Sequence, residues 1–382
     1  MNHAGDTAAL NTNLMDTWLV ENEHLVKVNL GESNVADLRL GDVFAPDELA
    51  AELGGLTLGN NSTWGSDRLR AAVAATYAGI APEQVLVTAG VSEAIVAVCM
   101  AHQAPGAHFV IPVPAFHALI DVPRQLGYEV RTVALRHEAG FALAVDEVLA
   151  AIDGNTRIVL LNSPHNPTGT VYAQADILRI ADAAAQVGAI VIVDEHYRYL
   201  PHDDTPWLPS AAGARDNIVA FGSVGKCFGC TGIRVGWIIA TPQLVQRYHH
   251  YKLLVTHTIP LLSDRIGSQL LEQHGRRLPA IKAKIVHNLR RLELAAARSN
   301  GTLTVLQPDA GSVAFVRLPH VSDSFAFART LLETYGVLML PGESFELPGF
   351  LRIRLGVDPA EFDKACMQLE GFLCSYRCNA AA

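Results

Sequence analysis

From about Arg68 to Ala240 the chain alternates between Ala-rich stretches and short, unbroken apolar runs. Gln84-Val85-Leu86-Val87-Thr88, Phe109-Val110-Ile111-Pro112, Arg157-Ile158-Val159-Leu160-Leu161-Asn162, Ala189-Ile190-Val191-Ile192-Val193-Asp194 and Ile218-Val219-Ala220-Phe221 are rich in β-branched residues and bounded by Gly, Pro or Asn. A strand with one wet face alternates apolar and polar positions, whereas one covered on both faces does not. These runs predict buried strands. The stretches between most of them, such as Arg68-Leu69-Arg70-Ala71-Ala72-Val73-Ala74, read as helix. The pattern predicts an α/β protein with a mostly parallel central sheet. After about Leu270 it changes to a long, basic helical stretch from Arg276 through Asn300. Shorter segments follow around Ser312-Val313-Ala314-Phe315-Val316 and Phe350-Leu351-Arg352-Ile353-Arg354-Leu355. We expect residues 1–40 to be an N-terminal arm joining a smaller α+β domain, 41–275 to form the large domain and 276–382 the small one.

At 382 residues the chain exceeds what one hydrophobic core usually organises, which agrees with two units. Half the residues are hydrophobic and 18% charged, the composition of a large buried interior or an oligomer face. Lys and Arg number 29 against 38 Asp and Glu, a net charge of −9, with no basic run; nucleic acid is not an expected partner. No segment approaches the ~18 consecutive apolar residues of a membrane span. The opening Met1-Asn2-His3-Ala4-Gly5-Asp6 lacks the charged and apolar regions of a secretory leader. Cysteines 99, 227, 230, 366, 374 and 378 are scattered, as suits a reducing compartment. The expectation is a cytoplasmic protein.

Ligands of doubly wound sheets sit at the carboxyl ends of the strands, so the polar residues there are the candidates for chemistry. Val85-Leu86-Val87 leads into Thr88-Ala89-Gly90-Val91-Ser92-Glu93, a glycine turn opening a helix whose free N–H groups suit an anion. Ile158-Val159-Leu160-Leu161 leads into Asn162-Ser163-Pro164-His165-Asn166-Pro167-Thr168-Gly169, and Ile190-Val191-Ile192-Val193 into Asp194-Glu195-His196-Tyr197. Val219-Ala220-Phe221 leads to Ser223-Val224-Gly225-Lys226 and then Arg234-Val235-Gly236-Trp237. A phosphate-binding Walker loop would need Gly at 220 and Ser or Thr at 227, where Ala220 and Cys227 stand. No G-x-G-x-x-G closes a strand, and the Cys227/Cys230 pair has no second pair to make a metal site.

In order and spacing, Asn166-Pro167-Thr168-Gly169, Asp194-x-x-Tyr197 and Ser223-x-x-Lys226 with Arg234 resemble the fold-type-I, pyridoxal-phosphate-dependent aminotransferases of class I/II. The resemblance runs from about Leu30 to Leu369. It implies pyridoxal 5'-phosphate as cofactor, a free L-α-amino acid as substrate and a homodimer. It also implies roles. Lys226 would form a Schiff base with the cofactor aldehyde and carry the Cα proton, and Asp194 would keep the pyridine nitrogen protonated. Tyr197 and Asn166 would bond the ring oxygen, and Phe116 would stack on the ring. Gly90, Val91 and Ser92, with Ser223 and Arg234, would hold the phosphate. Arg352 would fork onto the substrate carboxylate, with Arg354 on the opposite face of that strand in a solvent or structural role.

Three positions depart from the ordinary pattern: Gly225 where Ser or Thr precedes the lysine, Asn60 where a tyrosine reaches the neighbouring subunit's phosphate, and Asn34 where a glycine offers its backbone to the substrate. Asn tolerates a left-handed backbone, so Asn34 is expected to keep that turn. These departures, with Ser163-Pro164-His165-Asn166-Pro167 and Ala115-Phe116-His117, look most like the branch containing capreomycidine synthase, which implies elimination and ring closure on a hydroxylated arginine, or related natural-product chemistry, as an alternative to transamination. Glu21, Glu23 and Glu32 are the carboxylates to weigh for holding a guanidinium, against the ordinary reading of solvated glutamates. A further alternative is a protein that kept the fold and lost catalysis.

Overall fold

The computed structural model describes residues 14–380 in backbone and 14–375 in side chains; Met1 to Asp6, searched above for a leader, and the closing Ala381 and Ala382 lie outside them. A seven-stranded sheet runs in the order Val85–Thr88, Gly236–Ile239, Ile218–Ser223, Ile190–Asp194, Thr156–Asn162, His108–Val113, Glu129–Ala134. Gly236–Ile239 is antiparallel to both neighbours, and every other pair is parallel. The apolar runs do not alternate because both faces are covered. Val191 and Val193 pack into one core cluster while Ile190 and Ile192 pack into the other, across the sheet. The edge strand Glu129–Ala134 keeps exposed positions.

Register brings the chemistry-bearing ends together. Asn162 is opposite Asp194, Asp194 opposite Phe221, and Ser223 opposite Gly236, which also faces Thr88 on its other side. The close approach there demands glycine, since a Cβ on Gly236 would lie 2.7 Å from the Gly90 carbonyl carbon.

A four-stranded antiparallel sheet, Leu340–Pro341, Phe350–Arg354, Val313–Arg317 and Thr304–Leu306, forms later in the chain. The helices His274–Arg298 and Pro359–Ala380 pack together beside it. The N-terminal stretch joins this part of the molecule. Val28–Asn29 pairs in parallel with Val337–Leu338, and Trp18, on the helix Leu14–Glu21, donates from Nε1 to the Met339 carbonyl at 2.9 Å. Among the described residues no helix is long and apolar enough to cross a membrane.

Candidate active site

The sheet's carboxyl edge and the loop Gly31–Val35 enclose a cavity of about 250 Å³. Of the expected residues, Gly90, Val91, Ser92, Phe116, Asn166, Asp194, Ser223, Lys226 and Arg234 line it. They come together for local reasons. Gly90 has φ +80° and precedes the helix Val91–His102, whose first turn has no side-chain cap and so leaves its N–H groups free. Arg234, at φ +54°, closes a 3-10 turn and lays its guanidinium over that glycine, so that a Cβ on Gly90 would sit 2.5 Å from Nη2.

Lys226 sits in the short helix Gly225–Phe228, immediately after the Ile218–Ser223 strand, and its Nζ donates to Ser33 Oγ at 2.8 Å. Burial, reinforced by the Arg352 charge, pulls this amine down to about 8, and Glu32 works the other way. Asp194 ends its strand fully buried and takes His196 Nδ1 at 3.0 Å on Oδ1. Phe116 is half-buried on the cavity wall and meets the His117 ring edge-on at 4.4 Å.

Tyr197 and Arg352 stand one layer behind the lining. The Tyr197 hydroxyl donates to the Ser33 carbonyl at 2.8 Å, and burial pushes its pKa up to about 12. Arg352, 2% exposed, donates from Nη1 to Asn166 Oδ1 at 3.1 Å and from Nη2 to the Gly31 carbonyl at 2.7 Å, while its Nε has no partner. Burial lowers its pKa.

Two expectations are corrected. Asn34 does not open onto the cavity or adopt a left-handed backbone; its amide nitrogen bonds Val35 O and Asp37 Oδ1. The backbone that meets Arg352 is that of Gly31, where a Cβ would come within 2.9 Å of Leu19. Arg354 is neither solvated nor on the opposite face. Strand side chains repeat with a period of two, so Arg352 and Arg354 leave the same side. Arg354 is buried and donates from Nε to the Asn34 carbonyl at 2.6 Å and from Nη2 to the Val35 carbonyl at 2.8 Å.

Asn60 is exposed and outside the cavity. Of the three glutamates, Glu21 and Glu23 are exposed, and only Glu32 lines the cavity. Residues that the sequence did not single out are Ser33, Gly31, Ser312, whose Oγ donates to the Ser33 carbonyl at 2.6 Å, and His196, whose Nε2 is buried without a partner. Ser33 is 193 positions from Lys226, a separation over which spacing carries no signal.

The donor set fits pyridoxal phosphate. An uncapped helix start with a guanidinium and hydroxyls suits a phosphate, a buried carboxylate suits a protonated ring nitrogen, and an amine of lowered pKa suits an aldehyde. The fold and this cavity define a cofactor-dependent α/β enzyme built on a mostly parallel sheet.

Residues 26–369 match the family model for aminotransferase class I and II. The chain belongs to that family. It is an enzyme of it, with pyridoxal phosphate as its cofactor, and the reading as a fold without catalysis falls away. It is 30% identical over 353 residues to capreomycidine synthase of Streptomyces vinaceus, covering 92% of this chain and 90% of that one. It is 28% identical over 384 residues to an arginine–pyruvate transaminase of Pseudomonas aeruginosa, covering 96% and 95%. Among solved structures, a PLP-dependent aminotransferase from Streptococcus suis superposes with a TM-score of 0.90 at 25% identity, over 96% of this chain and 98% of that one.

Proposed function

We propose that this enzyme acts on a free L-α-amino acid, with Lys226, Asp194 and Tyr197 as its catalytic residues. The observation that carries the reading is that the Lys226 amine, the Asp194 carboxylate and the uncapped start of the Val91–His102 helix all open into one cavity. Pyridoxal phosphate, when bound, supplies an aldehyde that condenses with amines and a protonated ring that takes up the electrons released when a bond to Cα breaks.

The chain's own residues do the rest. Gly90, Val91 and Ser92 offer backbone and hydroxyl donors to the phosphate, with Ser223 and Arg234 beside them. Asp194, kept from water and oriented by His196, holds the proton on the ring nitrogen. Phe116 would cover the ring and Asn166 would bond its oxygen side, with Tyr197 held behind the lining by the Ser33 carbonyl, close enough to add a second bond there on a small shift. Lys226, with its amine near neutrality, can accept and return the Cα proton at cellular pH. Arg352 presents a buried fork for the substrate carboxylate, a task lysine performs poorly; Asn34 is withdrawn from that role.

A second reading, elimination and ring closure on a hydroxylated, arginine-type amino acid, is favoured by Glu32. Its carboxylate lines the cavity beside Lys226 with no hydrogen bond or ion pair among the described residues, and a substrate guanidinium would provide one. Of the two relatives, capreomycidine synthase is named for a synthase, and the arginine–pyruvate transaminase is named for arginine as substrate but for transamination as its chemistry.

The division into residues 1–40, 41–275 and 276–382 is supported by the separation of the seven-stranded from the four-stranded sheet and by the Val28–Val337 pairing. A homodimer is supported by exposed Leu58, Leu254 and Val255. A cytoplasmic setting is supported by five free cysteines among the described residues.

The test is spectral. The purified enzyme should show a visible band reducible by borohydride, and Lys226→Ala should lose it; a colourless, borohydride-inert wild type would overturn the reading. Offering single amino acids with and without an oxo-acid acceptor separates the two chemistries, since a keto product means transamination and an eliminated or cyclised product means the second reading.

A further inference from the structure

We infer that Ser33 is the positioning residue for the free amine of Lys226, its hydroxyl receiving Nζ whenever the lysine is released from the cofactor and holding it in the cavity for the proton it must carry. The inference rests on Lys226 being the cofactor lysine. A lysine side chain is a flexible four-carbon stem ending in a point donor, so once freed its amine must be caught to be useful. Here it is caught by one group, since Ser33 Oγ is the hydrogen-bond partner of Nζ at 2.8 Å among the described residues.

Ser33 is itself held from every side. Its carbonyl accepts from the Tyr197 hydroxyl at 2.8 Å and from Ser312 Oγ at 2.6 Å. The loop that carries it is stitched to the lysine's own turn: Val35 N donates to the Lys226 carbonyl at 3.0 Å and Leu38 N to the Gly229 carbonyl at 2.7 Å. The residue is 5% exposed. Its backbone therefore has a defined place from which the hydroxyl reaches Nζ, and the same residue meets the phenol of Tyr197 through its carbonyl and the amine of Lys226 through its hydroxyl.

Two neighbours explain why this hydroxyl is needed and why it is not a carboxylate. Gly225, directly before the lysine, carries no side chain, and a Cβ there would meet Thr231 Cα at 3.3 Å. A hydroxyl from the N-terminal loop takes up the task instead. A carboxylate acceptor would hold the amine in its charged form, as the Glu32 field already tends to do. A neutral hydroxyl accepts from the amine in either protonation state and favours the ammonium form only weakly, leaving it able to take a proton and give it back.

The experiment compares Ser33→Ala and Ser33→Cys with wild type in the full-length enzyme. Cysteine fills the same space but is a weak acceptor, so it separates hydrogen bonding from packing. Both variants should load cofactor with the wild-type visible band. Both should lower kcat about tenfold, as loss of one hydrogen bond to an amine predicts, with KM changed less than about twofold. In the full chain freed of cofactor, the pH profile of Lys226 modification by trinitrobenzenesulfonate should move to lower pH in both, because the acceptor favours the ammonium form. An unchanged kcat and amine titration in Ser33→Ala would overturn the inference, as would wild-type behaviour of Ser33→Cys. A borohydride-reducible band that persists in Lys226→Ala would sink the assignment of the lysine itself, a separate outcome.

Discussion

Arg352 and Arg354 leave one face of one strand and do different things because of what each meets. Arg354 spends its donors on the carbonyls of Asn34 and Val35 and so fastens the loop. Arg352 keeps Nε free and is held by Asn166 and Gly31 in a buried place where an unpaired charge is costly. Arg352→Lys should therefore raise KM for carboxylate substrates by about a hundredfold, the loss of a bidentate contact, with the visible cofactor band intact; steady-state kinetics check this, and an unchanged KM would remove Arg352 from the site. Glu195, next to Asp194, is a different case. It accepts from Ser210 Oγ at 2.7 Å, and burial pushes it from 4.5 up to about 7. Between those values the folded state holds more protons than the unfolded one, so this group's contribution to stability falls as pH rises from 4.5 to about 7. Thermal melts should show wild type losing stability relative to Glu195→Gln across that window. Parallel curves would refute the assignment.

At the scale of elements, the site is a set of strand ends and one helix start. The helix Val91–His102 serves an anion because Gly90, at φ +80°, turns the chain without a side chain in the way. Gly90→Ala adds strain at a positive φ and drives a Cβ against the Arg234 guanidinium. It should weaken cofactor affinity by at least about tenfold, read from absorbance titration, since it displaces one charged donor and disturbs the first turn. The sheet itself was legible. The buried strands at 85–88, 157–162, 190–194 and 218–221 were read from runs without alternation, and the basic helix expected from Arg276 to Asn300 spans His274–Arg298. The antiparallel direction of Gly236–Ile239 was not legible, because strand direction is decided by the partner's register and not by local composition.

For the whole molecule, the net charge of −9 coexists with a cavity region where Lys226, Arg234, Arg352 and Arg354 gather, so the acidic balance says nothing about the ligand. The apolar excess has two destinations. Most fills the two core clusters, and some lies outside at Leu58, Leu254 and Val255, which are 89%, 65% and 50% exposed. Exposed apolar side chains mark a partner surface where they are contiguous, as the neighbouring Leu254 and Val255 are in the chain. We expect a dimer by sedimentation, with Leu254→Glu combined with Val255→Glu shifting it towards monomer; a monomeric wild type at micromolar concentration would end the dimer proposal.

The amino-acid sequence alone determined the class of sheet, the family and the identity of the groups at the strand ends, because each of those depends on residues close together in the chain. Lys226, Asp194, Arg234 and Asn166 were found this way. Tertiary structure alone decided which side chains face one another across long separations: that Ser33 meets the lysine, that Gly31 holds Arg352, and that Arg354 is interior. The physical reason is that a hydrogen bond between residues some two hundred or more positions apart is fixed by how the folded chain packs on itself, and no local pattern of residues encodes that geometry.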